Sequence, residues 1–227
     1  MKKIQILALI LLATVVAPAQ YKKASFFSKG GRTYELGTTA HVMGDGKGAP
    51  LGFYFGWGRD KTESHFFRWT ELVVLPPYKY QFQTLASTLN NPGNKESITV
   101  SGKSSTHLVY NFNVGYHLLD RSEDEKKILP FVFLGFNVVL AGNIKEENYS
   151  SGYYDLEKES AGDGFSLGVR GGAGVLFNLT GKTAIKLAAG YNHQFNFGVD
   201  NYSTSTYDIF TSHPLVSLGI RFRLLEE

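Results

Sequence analysis

The chain has 227 residues, a formal net charge of only +3 and no cysteine. The missing cysteines exclude a disulfide framework, and the near balance of charge gives no basic face for nucleic acid. Beyond the first residues no apolar run approaches the roughly 20 residues of a spanning helix, which excludes a helical membrane protein.

Residues 1–19 read as a secretory signal: Lys2 and Lys3, an apolar run over 4–16, then Ala17-Pro18-Ala19 as small residues at a cleavage site. That run is about 13 residues, too short for a membrane anchor. A short N-terminal segment, 20–31, then precedes one domain over 32–224. Within it, eight stretches alternate apolar and polar residues at the period of a strand.

The first stretch, 32–42, sets Tyr34, Leu36, Thr38 and Ala40 against Glu35, Gly37, Thr39 and His41. The second, 51–59, sets Leu51, Phe53, Phe55 and Trp57 against Gly52, Tyr54, Gly56 and Gly58. In the third, 63–75, Phe67, Trp69 and Val73 oppose Arg68 and Thr70, although Phe66 and Glu71 fall on the wrong faces for that register. The fourth, 105–119, sets Leu108, Tyr110, Phe112, Val114 and Tyr116 against Asn111, Asn113, Gly115 and His117. The fifth, 128–141, is apolar on both faces. The sixth, 163–178, opposes Leu167, Val169, Ala173 and Val175 to Ser166, Gly168, Arg170 and Gly172. The seventh, 183–195, opposes Ile185, Leu187 and Tyr191 to Lys186, Ala188 and Asn192. The eighth, 214–224, opposes Leu218, Ile220, Phe222 and Leu224 to Ser217, Gly219, Arg221 and Arg223.

The connections alternate too. Those over 60–62, 120–127 and 179–182 are read as the turns of one side and those over 43–50, 76–104, 142–162 and 196–213 as the loops of the other; 120–127 and 43–50 are equal in length, and the contrast rests on the others. Short turns on one side and longer loops on the other are the rhythm of an outer-membrane barrel. The expected fold is therefore all-β: an eight-stranded antiparallel up-and-down transmembrane β-barrel in the outer membrane of a Gram-negative bacterium. An even strand count returns both termini to the periplasm, and closure leaves no unpaired edge in lipid.

Polar faces then point into a lumen that side chains fill. Glu35, Arg68, Arg170, Lys186, Arg221 and Arg223 are expected there as a buried charge cluster. Closure of the eighth stretch on the first brings Glu35 toward Arg221 and Arg223. Buried charges require partners, and the role expected of this cluster is structural.

The last stretch carries the closest motif. Ser217, Gly219, Phe222 and Leu224 fit the polar-x-glycine-x-x-apolar-x-apolar signal of outer-membrane insertion, though Leu225, Glu226 and Glu227 follow where many such chains end on an aromatic residue. The domain resembles the small outer-membrane barrel families, the OmpA/OmpX-like proteins and the PorT-type barrels of the Bacteroidota. That resemblance implies a non-enzymatic envelope or interaction protein. It also implies outer-membrane lipid and lipopolysaccharide as surroundings, the barrel-assembly machinery as a partner during insertion, and an envelope protein as a further partner. The alternatives are an accessory subunit of a secretion or assembly complex, a lipid A-modifying barrel enzyme, and a conducting porin.

For the enzyme reading, none of His41, His65, His107, His117, His193 and His213 has a serine two residues on. Ser105 precedes His107 by two, and the last loop holds Asp200, Ser203, Ser205, Asp208, Ser212 and His213, which is also ordinary loop composition. No histidine spacing suggests a metal, and no cofactor or catalytic residue is assigned. The tyrosine-bearing loops, with Tyr78 and Tyr80 in 76–104, Tyr149, Tyr153 and Tyr154 in 142–162, and Tyr202 and Tyr207 in 196–213, are the expected interaction surface.

Overall fold

A strand that alternates large apolar residues with small or polar ones buries one row and exposes the other. The computed structural model arranges these rows as a cylinder turned inside out. It describes residues 31–43, 48–60, 64–88, 90–119, 127–141, 145–148, 164–180, 182–195 and 212–224. The expected signal peptide, nearly all of the 20–31 segment, most of 142–162 and the loop residues Asp200, Ser203, Ser205 and Asp208 lie outside this set.

Eight strands close the barrel: β1 (Gly31–His41), β2 (Leu51–Asp60), β3 (Phe66–Leu75), β6 (His107–His117), β7 (Ile128–Ala141), β9 (Gly164–Thr180), β10 (Thr183–Phe195) and β11 (His213–Leu224). Each pairs antiparallel with the next, and β11 pairs with β1 from Arg32 opposite Leu224 to His41 opposite Leu215. Three further strands, β4 (Lys79–Thr88), β5 (Asn91–Lys103) and β8 (Lys145–Asn148), make a separate sheet in the order β4-β5-β8.

The faces sort cleanly. Outward lie Leu36, Phe53, Phe55, Trp57, Val114, Leu134, Phe136 and Leu218, with Phe53 at 62% and Leu134 at 73% exposure. Inward lie Glu35, Glu71, Asn111, Asn137, Arg170, Lys186 and Arg221, all buried. The fifth stretch, ambiguous in sequence, resolves as Leu129, Phe131, Phe133 and Val139 inward, with Val132, Leu134 and Phe136 outward.

Aromatic rings fill one side of the lumen. Phe67 stacks on Trp69 at 4.9 Å and on His117 at 4.2 Å, and Phe131 meets Phe67 edge-on at 5.5 Å. The rings fit because Gly115 and Gly174 face them. A Cβ at Gly115 would stand 2.4 Å from the Phe67 ring, and one at Gly174 2.4 Å from that of Phe131. Toward the other end, Met43, Tyr54, Val73, Leu75, Val109 and Val139 form a second apolar cluster, with Tyr78 packed against it.

Two expectations change. In the third stretch the inward residues are Phe67, Trp69, Glu71, Val73 and Leu75, so Arg68 lies on the outer face, exposed, and not in the lumen. The misfits at Phe66 and Glu71 both disappear in this register, because the lumen accepts aromatic rings as readily as polar groups. Asp60, read as a turn residue, is the buried last residue of β2.

Candidate functional site

The alternation of β1, β3, β9, β10 and β11 carries the charged side chains to one level of the lumen. Glu35 and Arg221 face each other directly across the β1–β11 ladder, and the Arg221 guanidinium donates to the Glu35 carboxylate. Lys186 Nζ, from β10, donates to Glu35 and also to Glu71 Oε1 at 2.8 Å. Arg170 Nη1, from β9, donates to Glu71 Oε2 at 2.9 Å. Trp69 Nε1 adds a bond to Glu71 Oε1 at 2.8 Å, and Asn111 Nδ2 one to Oε2 at 3.3 Å. Glu71 is therefore the hub, bonded by two cations and two neutral donors.

Aromatic faces cover the cations. Lys186 Nζ lies 5.0 Å from the Tyr54 ring centre, Arg221 Cζ 5.2 Å from that of Phe67, and Arg170 Cζ 5.3 Å from that of Phe133. Such contacts add to the ion pairs when water is excluded.

Arg223 departs from the expected partner. Its Nη2 donates to Asp60 Oδ2 at 3.0 Å, in a second, smaller layer nearer the chain termini, where His117 Nε2 lies 3.8 Å from Asp60 Oδ1. At the opposite end the lumen closes with a histidine pair: His41 Nδ1 stands 2.7 Å from His213 Nε2, and Asn192 Nδ2 is 3.3 Å from that same atom. The structure thus brings together Glu35, Arg170, Lys186 and Arg221, places Arg223 beside them on Asp60, and leaves Arg68 outside. Sequence reasoning missed Glu71 and Asp60. The signal for Glu71 was its own misfit in a register that placed Arg68 inward.

The insertion-signal residues all sit on β11. Ser217 and Gly219 face the lumen, and Phe222 and Leu224 are exposed on the outer face. Of the serine–histidine candidates, His107 Nδ1 bonds the main-chain carbonyl of Ser105 at 3.0 Å, not its hydroxyl. Ser212 Oγ lies 3.1 Å from His193 Nδ1 and accepts the Gln194 N–H at 3.1 Å, which ties the loop to the end of β10. Among the described residues no group of three His, Asp or Glu side chains is placed to hold a metal ion.

Beyond Leu75 the chain does not simply continue its strand. Pro76 and Pro77 lack N–H donors, so the ladder breaks there. It resumes as Lys79 opposite Lys103 and runs to Thr88 opposite Asn91. Ser104 fastens the base of this hairpin: its Oγ accepts the Tyr78 N–H at 3.0 Å, and its N–H donates to the Tyr78 carbonyl at 2.9 Å. The Tyr78 hydroxyl donates to Met43 Sδ at 3.5 Å, and burial pushes its pKa above the ordinary value, so it remains a donor. Lys145–Asn148 then pairs with β5, so the longest loop recruits a strand from the next one.

No protein-family model matches the chain, and no curated sequence is similar to it. The likeness lies in solved structures. One is the N-terminal β-barrel domain of Pseudomonas aeruginosa OprF: 12% identity, 86% of this chain and 100% of that one, TM-score 0.45. Another is Neisserial surface protein A: 10% identity, 89% and 99%, TM-score 0.48. A third is Ail, the attachment invasion locus protein of Yersinia pestis, solved with the heparin analogue sucrose octasulfate: 14% identity, 86% and 99%, TM-score 0.46. The chain is similar to small outer-membrane β-barrels. At these identities what is shared is the fold.

Proposed function

We propose that the protein is a non-catalytic outer-membrane β-barrel that holds a β-sheet outside the membrane for interaction with another envelope or surface component. The observation that carries the membrane reading is the inversion of the cylinder. In water, a wall of Phe53, Phe55, Phe66, Leu134 and Phe136 around a core of Glu35, Glu71, Arg170 and Lys186 would be the wrong way round. Against hydrocarbon it is the stable arrangement, because every barrel strand has a partner on both sides.

The lumen argues against transport. The ion network, the ring stack and the apolar cluster fill it, as an eight-stranded wall requires. The β4–β5 ladder, by contrast, extends about 30 Å at the usual rise per residue, and β4 forms one edge of its sheet. An edge strand offers free N–H and C=O groups for pairing with another chain. Lys79, Gln81, Gln83 and Leu85 alternate along it, exposed. In this reading both termini are periplasmic, lipopolysaccharide surrounds the opposite end, and β11 is the segment through which the barrel-assembly machinery captures the chain.

The test is topology followed by binding. An epitope inserted between β4 and β5 should be labelled on intact cells, and one after residue 227 only after permeabilisation. Replacing residues 79–103 by a short glycine linker should preserve the folded barrel and abolish capture of the surface partner. The opposite labelling pattern, or unchanged capture, would overturn the proposal.

A further inference from the structure

The two edges of the external sheet are built differently. β8 is short and carries Lys145, Glu146 and Glu147. Among the described residues it covers β5 only from Ser101 to Lys103, and the rest of β5 holds Pro92, Gly93, Lys95 and Glu96. Short length, charge and proline are the devices that keep a strand edge from pairing with another chain. From Tyr80 to Thr88, β4 has none of them: it contains no proline, glycine or charged residue. It also keeps one register on β5 from Lys79 to Ser87.

The hydrogen bonds at the base of the hairpin fix which groups this edge presents. The Ser104 N–H donates to the Tyr78 carbonyl, and the Tyr78 N–H points back to the same residue, where Ser104 Oγ accepts it. Along an antiparallel ladder, residues bonded to the partner strand alternate with residues that are not. Tyr80, Phe82, Thr84 and Ala86 therefore turn their N–H and C=O groups toward β5. Lys79, Gln81, Gln83 and Leu85 turn theirs away from it. These four residues are exposed, and among the described residues no strand lies on that side of β4.

We propose that β4 pairs antiparallel with β4 of a second copy of this chain, about a two-fold axis at Gln83. This rests on the interaction role proposed above and names the partner for it. The edge is self-complementary, because outward N–H and C=O groups recur with the same spacing on both copies, and two-fold symmetry makes a fit in one half of the contact a fit in the other. Charge selects the register. Lys79 is the one charged residue among the four, and centring the contact on it would set two ammonium groups opposite each other, which is destabilising. Centring on Gln83 sends the lysines to opposite ends. It sets Gln83 against Gln83 of the partner subunit, and Gln81 against Leu85 of the partner subunit, with backbone bonds at each pair.

The chain has no cysteine, so single thiols report the contact without background. The folded mature barrel in detergent micelles should sediment as a dimer at micromolar concentration. Gln83→Cys should form an intermolecular disulfide under mild oxidation, since bonded residues directly opposite each other stand about 5.5 Å apart at Cα, within the span of a disulfide. Thr99→Cys should not. Thr99 lies opposite Gln83 within the hairpin, so its two copies would be three strand spacings apart, about 14 Å. Gln83→Lys should weaken association about fivefold, the weight of one like-charged cross-strand pair, and mixing it with Gln83→Glu should restore it. Gln81→Pro removes an outward N–H and no bond to β5, so it should keep the heat-modifiable barrel band and lose the dimer. A wild-type barrel that sediments as a monomer would overturn the self-pairing. So would equal cross-linking at 83 and 99, or a Gln83→Cys thiol that links in intact cells to a different envelope protein in place of its own copy. Each of these leaves the interaction role of the external sheet standing. Labelling of an epitope between β4 and β5 only after permeabilisation overturns that role, whatever the oligomeric state.

Discussion

Replacing Glu71 by glutamine probes the lumen with almost no change of shape. Each carboxylate oxygen of Glu71 receives one cation and one neutral donor: Lys186 and Trp69 on Oε1, Arg170 and Asn111 on Oε2. A glutamine amide has one oxygen and one NH₂. Whichever way it is turned, its NH₂ faces two donors, one of them charged. Removing one partner of a buried ion pair costs about 3–5 kcal/mol, against a total stability of about 5–15 kcal/mol. The buried acidic side chains among the described residues are Glu35, Asp60 and Glu71, against the basic Arg170, Lys186, Arg221 and Arg223, so the substitution also removes one of the fewer acidic groups. Urea titration of the detergent-folded barrel, followed by tryptophan fluorescence, measures the effect directly, because Trp69 sits at the hub. Adding Lys186→Met removes the cation left without its second carboxylate, while Glu35 keeps Arg221. The double variant should therefore be more stable than Glu71→Gln alone by about 1 kcal/mol or more. A loss within about 0.5 kcal/mol for the single variant, the range of an ordinary surface change, would refute the reasoning and mean that water screens the lumen.

Leu134→Arg discriminates between solvents: on a lipid-facing wall near mid-membrane it should cost about 2–4 kcal/mol in bilayers, whereas at the 73%-exposed surface of a soluble protein it would change little. Gly115→Val drives a branched side chain into Phe67 and Trp69, and should destabilise by about 1–3 kcal/mol or prevent formation of the fast-migrating folded band; wild-type stability would show that the ring stack is loose. Planar-bilayer recordings should give no resolvable single-channel steps, since rings and ion pairs occupy the lumen; stable steps of porin size would contradict the plugged interior.

The strands that could be read from sequence are those whose two faces differ in kind. In β2, large rings alternate with glycines and one tyrosine; in β11, leucine, isoleucine and phenylalanine alternate with serine, glycine and two arginines. Such strands have a single register, because a slip by one residue would put Arg221 and Arg223 in lipid. Closure alone brings Glu35 toward Arg221 and Arg223, and the ladder selects Arg221 as the residue opposite it. The β3 strand was harder for a physical reason. A filled lumen wants bulk as well as polarity, so Phe67 and Trp69 belong inside, and a rule that sends every polar residue inward sends Arg68 to the wrong place. The start of β4 alternates visibly in the sequence from Lys79 to Gln83, but its pairing with β5 and β8 was out of reach, because pairing between two loops is set by their geometry above the barrel and not by the period of either segment.

Arg68 links the two halves of the chemistry. With Glu71 inward, the odd-numbered residues of β3 build the lumen, and the even-numbered ones must meet lipid. That forces Arg68 onto the outer wall in the same row as Arg59 and Arg32. The register that completes the ion network inside is therefore the register that assembles the cationic row outside. A substitution that shifted β3 by one residue would therefore take Glu71 out of the ion network and bring Arg68 into the lumen in the same step, which is why the pairing of Arg68 with Val114 fixes both faces of the strand.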